Sequence, residues 1–276
     1  MNTRFGALPA LQWGDPNGEI ILASHGWLDN AASFERLAPF LRHCNLICID
    51  LPGHGLAPWL PPEADYHIWT PVEAVAEIAR SFDQKVHLLG HSMGGAVSLL
   101  TAASIPEKVA SVISIDVFGP LTQSTEDTVA NFRQAIVPTK QKSPRIFNRL
   151  DEAVHARAQA GHQPEEVVRP IVLRNLQQVP DGWRWRTDPR LRLRSRFRFT
   201  PEILASFLKS IECPVLVIKA NQGYLSQAII DERLPLVPNA MAINVEGHHH
   251  CHLDADQVGS VAEAIGGFYQ DSGVME

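Results

Sequence analysis

At 276 residues, 45% of them hydrophobic and 20% charged, the chain can bury one large core, which excludes a disordered or low-complexity polymer. A formal net charge of -6 gives no electrostatic reason to expect nucleic acid as a partner. The opening MNTRFGALPALQWGD lacks a positive segment followed by an apolar core, and no apolar run reaches bilayer length. A cytoplasmic protein without signal peptide or membrane span is therefore expected.

In chain order, residues 20–23, 46–49, 86–89 and 112–115 are brief apolar runs without polar alternation. That pattern suits parallel strands covered on both faces. Between them, 31–41, 71–82 and 93–104 carry apolar residues at helical spacing, with Thr70 reading as an N-cap before Pro71. From 119 to 200 the rhythm breaks into polar helical patterns at 125–136, 145–159 and 164–177, with no buried strand expected. Alternation resumes with strands at 214–218 and 242–245 and a closing helix at 255–269. The expectation is a mostly parallel, doubly wound α/β sheet formed by 1–118 and 201–276. A helical cap, 119–200, is inserted between core strands over the carboxyl edge, where open α/β sheets bind ligands. Cys44, Cys48, Cys213 and Cys251 form no C-x-x-C pair and are expected as buried thiols.

The most informative motif is Gly90-His91-Ser92-Met93-Gly94, a G-x-S-x-G between a strand and a helix. Glycines at 90 and 94 let strand and helix approach closely, and the tight turn strains Ser92 and presents its hydroxyl at a helix N-terminus. Ser92 is the expected nucleophile. Ser24-His25-Gly26-Trp27 follows the strand 20–23, so the backbone N–H groups of Trp27 and Met93 are the expected oxyanion donors. His25 is expected to prop its loop, and His54 in Asp50-Leu51-Pro52-Gly53-His54-Gly55 to be structural. Late in the chain stands Gly247-His248-His249-His250-Cys251-His252-Leu253-Asp254. A zinc site made from these histidines is disfavoured, because neighbours in one loop cannot easily converge on an ion and no cysteine or acidic ligand set accompanies them.

HGWLDN, DLPGHG, GHSMGG and the late G-x-H, in this order, resemble the α/β-hydrolase family. The likeness is greatest to the serine hydrolase-like branch near the haloalkane dehalogenases. The resemblance implies that His249 is the base, since Leu253 and Asp254 then stand four and five positions on, as in the family; His248 is the alternative. Most members carry the triad acid after the strand matching 214–218, where this chain has Gly223. Some relatives hold it after the strand next to the nucleophile, which implies Asp116. Asp231, in the helical pattern 225–234, and Glu246 are poorer placed. An aspartate is needed at position 92 for dehalogenase or epoxide-hydrolase chemistry, which disfavours both.

The segment 183–199 places seven arginines (184, 186, 190, 192, 194, 196 and 198) in alternation with apolar residues. An extended stretch is expected. Pairing with acidic residues at the junction with the core is the expected role, ahead of attraction of an anionic substrate. Phe34, Trp59, Trp69 and Phe118, with Trp27, are candidate pocket walls. The function expected is a serine hydrolase of small or medium carboxylic esters, with a small-molecule substrate and no cofactor or metal. A C–C bond hydrolase or a perhydrolase would use the same triad, and a non-catalytic binding protein of the same fold is the alternative of another class.

Overall fold

The computed structural model describes residues 1–137 and 145–273. A small antiparallel hairpin, β1 (Asn2–Thr3) with β2 (Gly6–Ala7), precedes the main sheet. Next come β3 (Ala10–Gly14), β4 (Ile20–Ser24), β5 (Asn45–Ile49), α1 (Trp69–Arg80), β6 (Val86–His91), α2 (Met93–Ser104) and β7 (Val109–Ile115). The intervening segment holds α3 (Thr128–Ala135), α4 (Leu150–Gly161), α5 (Glu165–Asn175), β8 (Leu176–Val179) and β9 (Gly182–Trp185). The chain closes with α6 (Pro201–Lys209), β10 (Val215–Gln222), α7 (Gln227–Arg233), β11 (Ala240–His248) and α8 (Val258–Ser272).

Seven strands form the main sheet in the order β11-β10-β7-β6-β4-β5-β3. All neighbours run parallel except β3, which pairs antiparallel with β5 along the edge. Burial explains the continuous apolar runs. Alternate residues of one strand enter different cores: Leu22 packs with α1, α2 and α6 on one face, while Ile21 and Ala23 pack with α8 and the turns near Phe34 on the other. No helix among the described residues is long and apolar enough to cross a membrane.

Several expectations need correction. The helix expected over 31–41 is two 3-10 turns, Ala31–Phe34 and Ala38–Leu41. Pro39 supplies no N–H there, and the Asn30 side chain accepts from Ala32 N–H to start the first turn. Thr70 does not cap α1: the cap is Ile68, and Pro71 falls in the first turn, where an N–H has no intrahelical partner. The edge strand β3 and the hairpin β8–β9 were not foreseen, β3 because its five residues carry only a half-exposed pattern. In the arginine-rich stretch, β9 is extended as expected, but Asp188 accepts from Arg190 N–H and, with Pro189, begins a 3-10 turn over Pro189–Arg192. Cys44, Cys48 and Cys251 are buried, whereas Cys213 is only partly buried.

The segment between β7 and α6 has a small core of its own, in which Phe147, Ala153, Val154, Val168 and Val172 pack together. Residues 138–144 of the expected cap lie outside the described residues. Two ion pairs to buried aspartates tie this segment to loops of the sheet. Arg157 of α4 reaches Asp29 at 2.7 Å, and Arg174 of α5 reaches Asp50 at 2.9 Å.

Candidate active site

The turn at Ser92 is built by its neighbours. A Cβ at Gly90 would stand 2.3 Å from the Gly94 backbone, and one at Gly94 would stand 1.9 Å from Ser24 O. Only glycine therefore lets α2 start against the ends of β6 and β4. Ser92 has φ 52 and ψ -120, a conformation that side chains other than glycine rarely adopt. Its N–H donates to Ile115 O at 3.0 Å, and its carbonyl accepts from Gly95 and Ala96 in the first turn of α2. The hydroxyl thus sits at the N-terminus of a helix, at the carboxyl end of a central strand.

Trp27 lies in the turn after β4, closed by Asp29 N–H donating to Gly26 O. Among the described residues, neither the Trp27 N–H nor the Met93 N–H donates to a protein acceptor. His25 props this loop as expected. Its Nδ1–H donates to Gly26 O at 2.8 Å and its Nε2 accepts from Leu51 N–H at 3.0 Å, and burial lowers its pKa, keeping it neutral. His54, likewise buried, is pushed down to about 3 and donates to Pro52 O.

Each histidine of the late cluster has its own partner. His248 Nε2 meets Asp254 at 2.9 Å, His250 Nε2 meets Asp29 at 3.0 Å, and His252 Nε2 meets Ser33 Oγ at 2.9 Å. His249 Nδ1 lies 2.6 Å from Asp116 Oδ2. Asp116 has a wholly buried side chain and a φ of 52. Backbone N–H groups of Tyr224 (2.7 Å), Ala220 (3.3 Å) and Leu225 (3.4 Å) also donate to its carboxylate. Ala220 lies near the end of β10, where the pairing with β11 slips between Ala220 and Gln222, and Tyr224 and Leu225 lie in the turn after it. A Cβ at Gly223 would stand 2.2 Å from both Asp116 carboxylate oxygens. The space at position 223 is occupied by the carboxylate of 116, so the absence of an acid at 223 and its presence at 116 are one fact.

The family model described as "Alpha/beta hydrolase family" matches residues 20–264. The chain belongs to the alpha/beta hydrolase family. It is 33% identical over 267 residues to a Drosophila melanogaster protein named "Probable serine hydrolase", covering 90% of this chain and 81% of that one. To the human "Serine hydrolase-like protein 2" it is 28% identical over 291 residues, covering 96% and 91%. A crystal structure of a hypothetical protein from Pseudomonas aeruginosa PAO1 superposes with a TM-score of 0.89, at 33% identity and 95% coverage of both chains. The chain is accordingly a hydrolase, similar to these serine hydrolase-like proteins.

Other candidates fall elsewhere. Phe34 and Phe118 are fully buried in the two faces of the core, and Trp69 packs edge-on against Phe199. Trp27 and Trp59 are half-exposed, and each donates its indole N–H into the inserted segment, to Leu191 O at 3.0 Å and Arg186 O at 2.8 Å. Of the arginines at 184–198, Arg190 pairs with Asp188 at 2.7 Å and Arg196 with Asp65, whereas Arg194 donates to the Asn131 side chain, an amide rather than the expected acid. Asp231 lies on α7 and bonds Gln227, and Glu246 bonds Asn221.

Two features escaped the sequence reading. Tyr224 stacks on the His249 ring with centroids 4.2 Å apart. Asp29, in the HGWLDN motif but assigned no role, brings an acidic group to the histidine cluster from 221 residues away. The expectation that no acidic ligand accompanies the histidines is thereby corrected, since Asp29, His91 and His250 place donor atoms within 4.8 Å of one another. The carboxylate already accepts from Arg157 at 2.7 Å and His250 at 3.0 Å, so a cation and a proton occupy the directions a metal would take.

Proposed function

We propose that the protein hydrolyses small or medium carboxylic esters through an acyl-enzyme, with Ser92 as nucleophile, His249 as base and Asp116 as the acid that orients it. The observation that carries this reading is the 2.6 Å His249–Asp116 pair, with the His249 ring 4.6 Å from that of His91, the residue before a serine held at φ 52 at the start of α2. Three backbone N–H groups orient the carboxylate toward His249, which keeps Nδ1 protonated and Nε2 free to accept the Ser92 proton. Ser92 Oγ then attacks the acyl carbon. The N–H groups of Trp27 and Met93 receive the oxyanion, and removing one donor of a comparable hole costs about 3–4 kcal/mol. His249 returns the proton to the leaving alkoxide, and a water activated by the same imidazole releases the acid.

The segment 119–200 serves in this reading as a cap, and Trp27 and Trp59 at its junction as walls of the substrate site. Arg190 and Arg196 serve structurally in this reading, since they spend their charge on aspartates. The test is labelling with a fluorophosphonate probe and turnover of p-nitrophenyl acetate. Wild type should label at one serine, Ser92→Ala should not, and His249→Ala and Asp116→Asn should label far more slowly. A folded wild type that neither labels nor turns over the ester removes the reading.

A further inference from the structure

The peptide that carries His249 is held from both sides by groups outside the proposed triad. On one side, His91 Nε2–H donates to the His249 carbonyl at 2.8 Å, and the two rings lie 4.6 Å apart. On the other, the next residue, His250, gives its ring N–H to Asp29 at 3.0 Å. Asp29 is buried, and its second oxygen is anchored by Arg157, which belongs to α4 of the inserted segment. His91, next to Ser92, turns its unpartnered Nδ1 toward Asp29, 3.8 Å away. One carboxylate thus stands between a helix of the inserted segment and the residues flanking both Ser92 and His249.

We propose that Asp29 is a positioning residue for His249, and that docking of Arg157 on Asp29 couples the seating of the inserted segment to the aim of the base. This rests on the assignment of His249 above. The Asp116 hydrogen bond fixes one edge of the His249 ring, while the backbone decides where Nε2 then points. Loss of the Asp29 contact frees the 249–250 peptide, and a misplacement of about 1 Å in such a site lowers the rate on the order of 100-fold. Asparagine at 29 keeps the shape but offers one acceptor where Arg157 and His250 need two. Lysine at 157 keeps the positive charge, whereas methionine removes it.

The experiment compares wild type, Asp29→Asn, Arg157→Met and Arg157→Lys in the full chain, with two readouts. The first is kcat and KM for p-nitrophenyl acetate, with the fluorophosphonate labelling rate. The second is the downfield proton resonance of His249 Nδ1–H, assigned by its disappearance in His249→Gln. Positioning predicts that folded Asp29→Asn and Arg157→Met lose about 10-fold or more in kcat with KM changed less than about twofold. Both should shift or broaden the downfield proton, and Arg157→Lys should recover most of both. A folded Asp29→Asn with unchanged kcat and an unchanged resonance overturns the proposal, and if that variant does not fold, the same outcome in Arg157→Met overturns it. A wild type that never labels, but whose His249 proton still responds to Asp29→Asn, keeps the positioning role and removes the esterase reading instead.

Discussion

Substituting Gly223 by alanine tests the proposed acid without touching it. The added methyl would stand 2.2 Å from both Asp116 oxygens, whereas real Cβ contacts essentially never fall below 3.0 Å. The carboxylate must therefore retreat by about 0.8 Å, because it is the part of the contact that can move. Gly223 does not occupy the left-handed region, so alanine adds no backbone strain and the perturbation is confined to the acid. Retreat breaks the 2.6 Å bond to His249 before it loosens the fold. A displacement of this size should lower kcat by roughly 100-fold, or about 2.7 kcal/mol in activation free energy, while thermal stability falls by little. The complementary variant moves the acid. Asp116→Ala alone should cost about 10,000-fold, and Asp116→Ala with Gly223→Asp, which returns a carboxylate to the vacated space, should regain at least about 10-fold. The assay is ester hydrolysis normalised to fluorophosphonate-titrated sites. Wild-type kcat in a folded Gly223→Ala would refute the claim that Asp116 works from this position.

Other expectations follow from strain, burial and charge. Ser92→Gly should abolish labelling yet raise stability by about 1 kcal/mol in urea unfolding, because glycine accepts φ 52 without the strain a serine bears there. Unchanged or lower stability would count against strain at the nucleophile. His25, His54, His91 and His252 have pKa values lowered by burial, so the unfolded chain binds more protons than the folded one below its ordinary histidine pKa of about 6.5. Stability is then full above about pH 7 and falls as the pH drops through 6.5, with a slope of up to about 1.4 kcal/mol per pH unit for each such histidine. Urea midpoints between pH 7.5 and 5 measure it, and a flat profile would contradict the burial of neutral imidazoles. Arg174→Ala leaves Asp50 buried with only the Ala31 and Leu56 N–H groups, and should cost about 3–5 kcal/mol. A loss below about 1 kcal/mol in chemical unfolding would show that the pair does not anchor α5.

Much of the sheet was legible because its strands are buried on both faces and so read as uninterrupted apolar runs. β4 to β7 lie where those runs stand, and α2 begins at Met93 as expected. Elements that escaped are those whose sequences carry no such period: the half-exposed edge strand β3 and the two 3-10 turns made by Asn30 and Pro39. At the site, the G-x-S-x-G motif pointed to Ser92 through its place between an apolar strand and a helix. The partners of the late histidines could not be read, because adjacent residues of one turn leave in different directions. His248, His249, His250 and His252 find Asp254, Asp116, Asp29 and Ser33, and only Asp254 is a neighbour in sequence. The role of Gly223 was invisible for a related reason. A glycine where an acid is common signals only a missing group until a second carboxylate is found in its place.

The two strained residues of the site share a construction. Ser92 and Asp116 each follow the last residue of a parallel strand, β6 and β7, and both have φ 52. Each turn hangs from the next strand: Ser92 N–H donates to Ile115 O on β7, and Asp116 N–H donates to Ile218 O on β10. The registers that pair His91 with Ile115, and Ile115 with Ile218, set the two turns side by side along one edge. Each departure from ordinary backbone is therefore over-determined by a ladder continuing beyond it, which is how a conformation costing 1–3 kcal/mol persists in a folded chain. In this arrangement Ser92 and Asp116, the proposed nucleophile and acid, are consecutive steps of one staircase, and the turn after β11 returns His249 to Asp116. Placing the proposed acid directly after β7 then costs the sheet nothing extra. The ladder that holds Ser92 in place from Ile115 ends at the very residue whose carboxylate meets His249.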